Sequence, residues 1–124
     1  MKVAWDRISN LTLWILQISL AVLFLYLGAS KLSSHETFWV NLFAKIGIGQ
    51  WFRYFTGGLE VTCAVLLLIP RTSAIAALLL ACTMVGAVVT HLLLLRDGYA
   101  CVFPGFPLLI LVVVAWRRRA STAP

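Results

Sequence analysis

Four stretches of apolar residues alternate with polar or helix-breaking residues and predict four membrane-spanning helices. The stretches cover residues 11–32, 54–70, 72–95 and 102–116. A helix needs roughly 17–25 residues to cross a bilayer, and the first three stretches meet that length. The fourth is shorter, and we expect it to begin near Val102 with two prolines in its first turn. Pro70-Arg71-Thr72 is a tight connection that predicts an antiparallel hairpin of the second and third spans.

The connection between the first two stretches has a helical period of its own. Phe38, Trp39, Leu42, Phe43 and Ile46 recur at three- and four-residue spacing within it. This pattern predicts a short amphipathic helix that lies in the membrane interface. The predicted fold class is therefore all-α, an integral membrane four-helix bundle with a short interfacial helix between spans one and two. We expect a single domain over residues 1–124.

Composition supports a membrane protein whose immediate partner is the lipid bilayer. The chain is 62% hydrophobic and 11% charged, with a mean hydropathy of +0.99. Soluble domains are typically about 45–50% apolar and about 25% charged. The net charge of +6 does not predict a nucleic-acid partner, because the cations lie between apolar stretches and at the ends. Their one cluster, Arg117 to Arg119, is typical of a membrane boundary.

The distribution of cations also predicts the orientation. With four spans, both termini lie on one side of the membrane. That side carries six cations, namely Lys2, Arg7, Arg71, Arg117, Arg118 and Arg119. The other side carries four, namely Lys31, Lys45, Arg53 and Arg96. The positive-inside rule favours cytoplasmic termini. We expect a multi-pass protein of a bacterial-type cell inner membrane.

Three ionisable residues, Lys31, Glu60 and His91, fall at similar depth in three predicted spans. Glu60 follows Arg53 by about 10 Å of helix, and His91 precedes Arg96 by about 7–8 Å. A charge in the bilayer centre costs about 2.5–3.5 kcal/mol, so such groups usually face the bundle interior and pair. We therefore expect the three side chains to converge in the half of the bundle away from the termini.

The faces around these residues are rich in small side chains, as at helix–helix contacts in lipid. Gly28 precedes Lys31 by one turn, and Gly57 precedes Glu60 by one turn. One interpretation is a ligand-binding pocket made by Glu60, His91, Lys31, Gly57 and Gly28. The alternative is structural: Lys31 and Glu60 form an ion pair that fixes helix packing, and His91 hydrogen-bonds a backbone carbonyl.

No other motif for catalysis or cofactor binding is apparent. Cys63 and Cys82 lie within apolar stretches and are predicted to be packing residues, whereas Cys101 lies near a membrane boundary. An odd number of cysteines without a C-x-x-C pair argues against a dithiol centre. Metal-ligand spacing, a nucleotide-binding glycine loop and a Ser-His-Asp grouping are all lacking. We expect no metal and no intrinsic cofactor.

Three blocks of the sequence resemble the DoxX-like family of small four-span membrane proteins. They are LFLYLGASKL, YFTGGLEVTCAVLLLIPRT and MVGAVVTHLLLL, between residues 23 and 95. The matching positions are Gly28, Lys31, Gly58, Glu60, Ala87 and His91. The resemblance implies a four-helix transmembrane bundle. It also implies mixed roles, which include subunits of thiosulfate:quinone oxidoreductase, partners of oxidative-stress complexes and receptor-assembly factors.

The preferred hypothesis is a component of a membrane redox complex that binds a quinone or similar lipid-soluble molecule in the Glu/His/Lys pocket. A protein partner would supply the redox centre. The alternative is a non-catalytic assembly factor or partner subunit whose polar cluster is structural. A third hypothesis is a proton-linked transporter, for which four short spans would require a homo-oligomer.

Overall fold

A computed structural model gives the fold of the protein and describes residues 2–33, 37–96 and 98–119. Regular structure in these ranges is entirely helical. The helices are α1 (Lys2–Leu32), α2 (Thr37–Ile46), α3 (Gln50–Leu67), α4 (Ser73–Val89) and α5 (Val102–Arg118). A π-helical segment, Thr90–Leu94, continues α4, and a 3-10 turn, Gly98–Cys101, precedes α5.

Among the described residues, three helical stretches are long and apolar enough to cross a membrane. They are Asp6–Leu32, Ser73–Leu94 and Gly98–Arg118. This result confirms a helical integral membrane protein. The second predicted span corresponds to α3, whose 18 residues include Arg53 and Glu60, and it is not one of the three. The segment expected in the interface is helical as α2.

Four long helices pack side by side in the order α1, α3, α4, α5. The most extensive contacts join α1 to α3 and α4 to α5, while α3 and α4 connect the two pairs. Contact between α1 and α5 is slight. The core contains many small side chains, as expected where helices approach closely in lipid. Its fully buried members include Ala21, Phe24, Ala64, Leu67, Ala76, Leu80, Leu111 and Val114.

The outside of the bundle is apolar. On α1, Leu11, Ile15, Ile18 and Val22 are each more than half exposed. In water such a surface would favour aggregation, whereas in a bilayer it contacts acyl chains. The buried face of the same helix lies at three- and four-residue steps from Lys31 and contains Gly28, Phe24, Ala21 and Gln17.

The three cysteines are free. Cys63 is buried in the core, which confirms its predicted packing role. The same prediction was wrong for Cys82, which is exposed on α4. Because α4 is apolar around its whole circumference, hydropathy alone does not separate its core face from its lipid face. Cys101 is half-buried and precedes the first residue of α5.

A polar clamp joins three helices at the end of the bundle that carries residues near both termini, which we call the terminal end. Gln17 Nε2 donates a 3.0 Å hydrogen bond to the carbonyl oxygen of Leu67, the last residue of α3. Arg118 Nε donates to Gln17 Oε1 at 2.7 Å, and Arg118 Nη1 donates to Asn10 Oδ1 at 2.8 Å. Gln17 thereby provides a hydrogen bond to the Leu67 carbonyl group, which lacks an intrahelical partner at the end of α3.

Helices α1 and α3 cross most closely at Gly28 and Gly57. A Cβ atom on Gly28 would lie 2.8 Å from the Gly57 carbonyl oxygen, and one on Gly57 would lie 2.9 Å from the Gly28 oxygen. Both distances are shorter than a normal contact with backbone atoms, which cannot move aside easily. This geometry confirms that Gly57 allows a neighbouring helix to approach closely.

Replacing Gly57 with alanine is expected to weaken the crossing. Overpacking of this kind costs about 1–3 kcal/mol, so Gly57→Ala should lower the midpoint of thermal unfolding in detergent, measured by circular dichroism. Gly58→Ala is the matched control, because no atom lies within 4 Å of a Cβ there and alanine favours helix. Equal midpoints for the two variants would contradict the crossing geometry.

Candidate functional site

Lys31 and Glu60 form a buried ion pair between α1 and α3. The Lys31 ammonium group donates a hydrogen bond to Glu60 Oε1. Glu60 is fully buried, and Lys31 is 7% exposed. An ammonium and a carboxylate removed from water require close pairing of this kind, since neither is otherwise stable in an apolar interior.

The glycine crossing places this ion pair. Lys31 follows Gly28 by three residues on α1, and Glu60 follows Gly57 by three on α3. Residues at this spacing lie on the same helix face one turn apart. Because the backbones almost touch at the glycines, the charged side chains one turn beyond can meet. The four residues therefore act as one structural unit.

The second oxygen of the carboxylate is the unusual feature of the site. Glu60 Oε2 is buried and has no hydrogen-bond partner in the described part of the chain. Buried polar atoms are nearly always hydrogen-bonded, and an unsatisfied one costs about 1–3 kcal/mol or more when charged. Glu60 Oε2 is therefore a free acceptor beside a fixed positive charge.

Arg53 caps the C-terminal end of α1 next to the ion pair. Its guanidinium group donates to the carbonyl oxygens of Lys31 and Ser33, the latter at 3.1 Å. Arg53 Nε donates to Gln50 Oε1 at 2.7 Å, and Arg53 is 3% exposed. A cation at a helix C-terminus is favourable because the last carbonyl groups carry partial negative charge. Arg53 thereby fixes the backbone that carries Lys31.

Trp39 of α2 covers the lysine from outside. The Lys31 ammonium lies 4.7 Å from the Trp39 ring centre, and Trp39 Nε1 donates to Ser30 Oγ at 2.9 Å. Cation–π contacts of this type contribute about 0.5–2 kcal/mol, with the larger values at desolvated sites. Gln50 Nε2 also donates to the Val40 carbonyl oxygen at 3.0 Å, which ties α2 to the start of α3.

His91 lies in the π-helical segment and is half-buried. This segment contacts mainly α4 and the 3-10 turn. The hydrogen bonds described for Lys31 and Glu60 do not include His91, and Glu60 Oε2 has no partner. The structure thus brings Lys31, Glu60, Gly28 and Gly57 together. A ligand pocket that includes His91 stays a prediction.

Three residues of this network were not among the predicted site residues, namely Arg53, Trp39 and Gln50. Arg53 precedes Glu60 by seven residues, so helical spacing already placed both on one face. Trp39 and Gln50 carried no comparable signal. In the described ranges, no group of three His, Cys, Asp or Glu side chains could hold a metal ion.

The fold and the site define a small helical membrane protein with a buried ion pair between its first two long helices. The chain belongs to the DoxX-like family, whose match extends over residues 15–115. That range contains the whole Lys31–Glu60 site and most of the bundle. Comparison with curated proteins and with solved structures gives no match.

The ion pair predicts strong coupling between its two partners. Lys31→Met leaves a buried carboxylate without its cation, and breaking a buried pair in this way costs about 3–5 kcal/mol. The double variant Lys31→Met/Glu60→Gln should recover most of the loss, because no buried charge remains. Unfolding midpoints of the wild type, both single variants and the double variant measure the coupling. Lys45→Met, which removes an exposed cation of α2, is the control. A double variant whose loss of stability equals the sum of the two single losses would contradict the ion pair.

Arg53→Lys tests the hydrogen bonds at the C-terminal end of α1 and keeps the positive charge. A lysine cannot reproduce the planar fork that reaches two carbonyl oxygens and Gln50 together. We expect a loss of about 1.5–3 kcal/mol, the usual contribution of a hydrogen bond to a charged group. Chemical denaturation followed by circular dichroism provides the measurement. Wild-type stability in Arg53→Lys would show that charge alone is sufficient.

Proposed function

We propose that this DoxX-like protein is a component of a membrane redox complex that binds a quinone or similar lipid-soluble molecule at Glu60. The observation that supports the proposal is the buried, unpartnered Glu60 Oε2 beside Lys31. Such an oxygen accepts a hydrogen bond from a hydroxyl group of a ligand that arrives from the bilayer. A quinol has two hydroxyl groups on an apolar ring and suits this acceptor.

The chemistry proposed for the chain itself is binding and proton handling. Glu60 Oε2 would accept the hydroxyl hydrogen bond, and Lys31 would balance the charge of the carboxylate. Gly28 and Gly57 keep the helices close enough for the pair to form, and His91 is the predicted third polar group. The electron carrier belongs to a partner protein of the complex.

The proposal includes a membrane topology. Helix α3 would be the fourth span, because its 18 residues extend about 27 Å and it packs along α1 and α4. Its two charged residues face the bundle interior. Helix α2 would lie in the interface. The excess of cations at the terminal end supports cytoplasmic termini in a bacterial-type inner membrane.

A second candidate function is a non-catalytic assembly factor or partner subunit, for which the ion pair joins α1 to α3 and has no ligand. The full burial of Glu60 and the close crossing at Gly28 and Gly57 favour this candidate. The two functions differ in what happens when Glu60 loses its charge but keeps its shape.

Glu60→Gln should weaken quinol binding in lipid nanodiscs. Losing a hydrogen bond to a charged group costs about 1.5–3 kcal/mol, or roughly tenfold to a hundredfold in Kd. Native mass spectrometry with a long-chain quinol measures the bound fraction. Asp6→Asn is the matched control, since it makes the same change at an exposed carboxylate.

Quinol binding by the wild type separates the two candidates, because loss of the ion pair lowers the unfolding midpoint of Glu60→Gln under both. Weaker quinol binding with a folded variant supports the redox role. A lower unfolding midpoint, with no quinol bound to the wild type, supports the assembly factor.

A further inference from the structure

An apolar groove runs between α1 and α5, the two long helices with slight contact. Leu16, Ser19 and Leu23 line it on one side, and Phe106, Pro107 and Ile110 line it on the other. Because it opens on the outside of the bundle, the groove faces acyl chains directly.

The two helix faces that line the groove continue towards the terminal end. On α1 the face continues at three- and four-residue steps from Leu16 to Thr12 and Ser9. On α5 the face continues from Ile110 through Val113 to Arg117. The two faces meet where the Arg117 guanidinium donates a hydrogen bond to Ser9 Oγ. Arg117 therefore lies on the same α5 face as the groove, two turns beyond Ile110, and Arg118 follows it in the polar clamp.

Among the described residues, neither arginine has an acidic partner, and the Arg118 guanidinium lies 5.3 Å from the centre of the Trp14 ring. Arg117 binds Ser9, and Arg118 binds Gln17 and Asn10, all neutral side chains. Arg118 Nη2 is buried without a hydrogen-bond partner among the described residues. The acidic residue described nearby on α1, Asp6, is exposed and pairs with neither arginine, and Arg7 adjoins it.

The dimensions match one leaflet of a membrane. From Phe106 to Arg117 is eleven residues of helix, or about 16 Å. The hydrocarbon core of a bilayer is about 30 Å thick, so half of it is about 15 Å. An acyl chain in the groove would therefore place its headgroup level with Arg117 and Arg118.

We propose that the seam between α1 and α5 binds an anionic phospholipid, with one acyl chain in the groove and the phosphate at Arg117 and Arg118. Charge complementarity selects the occupant. An anionic headgroup neutralises two arginines that have no acidic partner among the described residues, whereas a zwitterionic headgroup brings its own cation. The site is separate from Glu60 and independent of the proposed quinol role.

The test uses the full chain in a neutral detergent, with dioleoyl-phosphatidylglycerol and dioleoyl-phosphatidylcholine as probes. Native mass spectrometry gives the Kd of each lipid. We expect tighter binding of phosphatidylglycerol to the wild type. Arg117→Gln and Arg118→Gln should each weaken it about fivefold, which corresponds to about 1 kcal/mol per cation, and leave phosphatidylcholine unchanged.

Arg71→Gln is the matched control for charge. It removes the same charge from the α3–α4 turn, at the same end but across the bundle from the seam. An equal loss in Arg71→Gln and Arg117→Gln would overturn the proposal in favour of general surface attraction. Circular dichroism checks the fold of each variant, and Arg117→Gln is decisive if Arg118→Gln unfolds through loss of the clamp.

Ser19→Trp tests the acyl chain, because an indole fills the groove. Binding of phosphatidylglycerol should fall at least fivefold, whereas Ile18→Trp, on the adjacent lipid-facing side, should bind as the wild type does. Wild-type binding in Ser19→Trp would overturn the proposal. Inorganic phosphate provides the last arm: displacement of the lipid by millimolar phosphate would identify a free-anion site and also overturn it.

Discussion

The structure depends on one constraint, which is that Lys31 and Glu60 have no water to solvate them and must therefore neutralise each other. Several neighbouring residues make this pairing possible. The glycines at the crossing bring the two backbones together, Arg53 holds the last turn of α1, and Trp39 covers the ammonium group. Each of these contacts would have little purpose at the surface of a soluble helix bundle, where water would solvate both charges.

Polar interactions are concentrated on one side of the bundle. Helices α1 and α3 meet through an ion pair, a capped helix end and the Gln17 hydrogen bond. Helices α4 and α5 meet through apolar packing alone in the described core. Hydrogen bonds and the ion pair are directional and fix how α1 packs on α3. The packing of α4 on α5 is fixed by the shapes of apolar side chains.

Much of this architecture follows from simple periodicity. Helical steps from Lys31 reach Gly28, Phe24, Ala21 and Gln17, and all of them are buried. The corresponding steps from Glu60 reach Gly57, Thr56, Cys63 and Ala64, and these residues are also buried. The prediction for Cys82 was wrong because α4 has no polar side to indicate its orientation.

His91 and Arg53 show two other limits of the sequence. A π-helical turn contains an additional residue, so positions from Thr90 onward no longer follow the 3.6-residue spacing used to align His91 with Ala87. Arg53 was interpreted as a boundary cation because arginine is usually exposed. Its seven-residue spacing from Glu60 indicated the buried face, but its hydrogen bonds to the free carbonyl groups at the end of α1 depend on a helix distant in sequence.

The composition of α3 has a consequence for the order in which the protein assembles. This helix contains an arginine and a glutamate and is the least suited of the long helices to enter lipid alone. Its charged groups find their partners on α1, which is synthesised first and is apolar enough to be stable in the membrane beforehand. With α3 as the proposed fourth span, α1 would supply the partners that α3 needs in lipid, and the first half of the chain would insert as a cooperative unit.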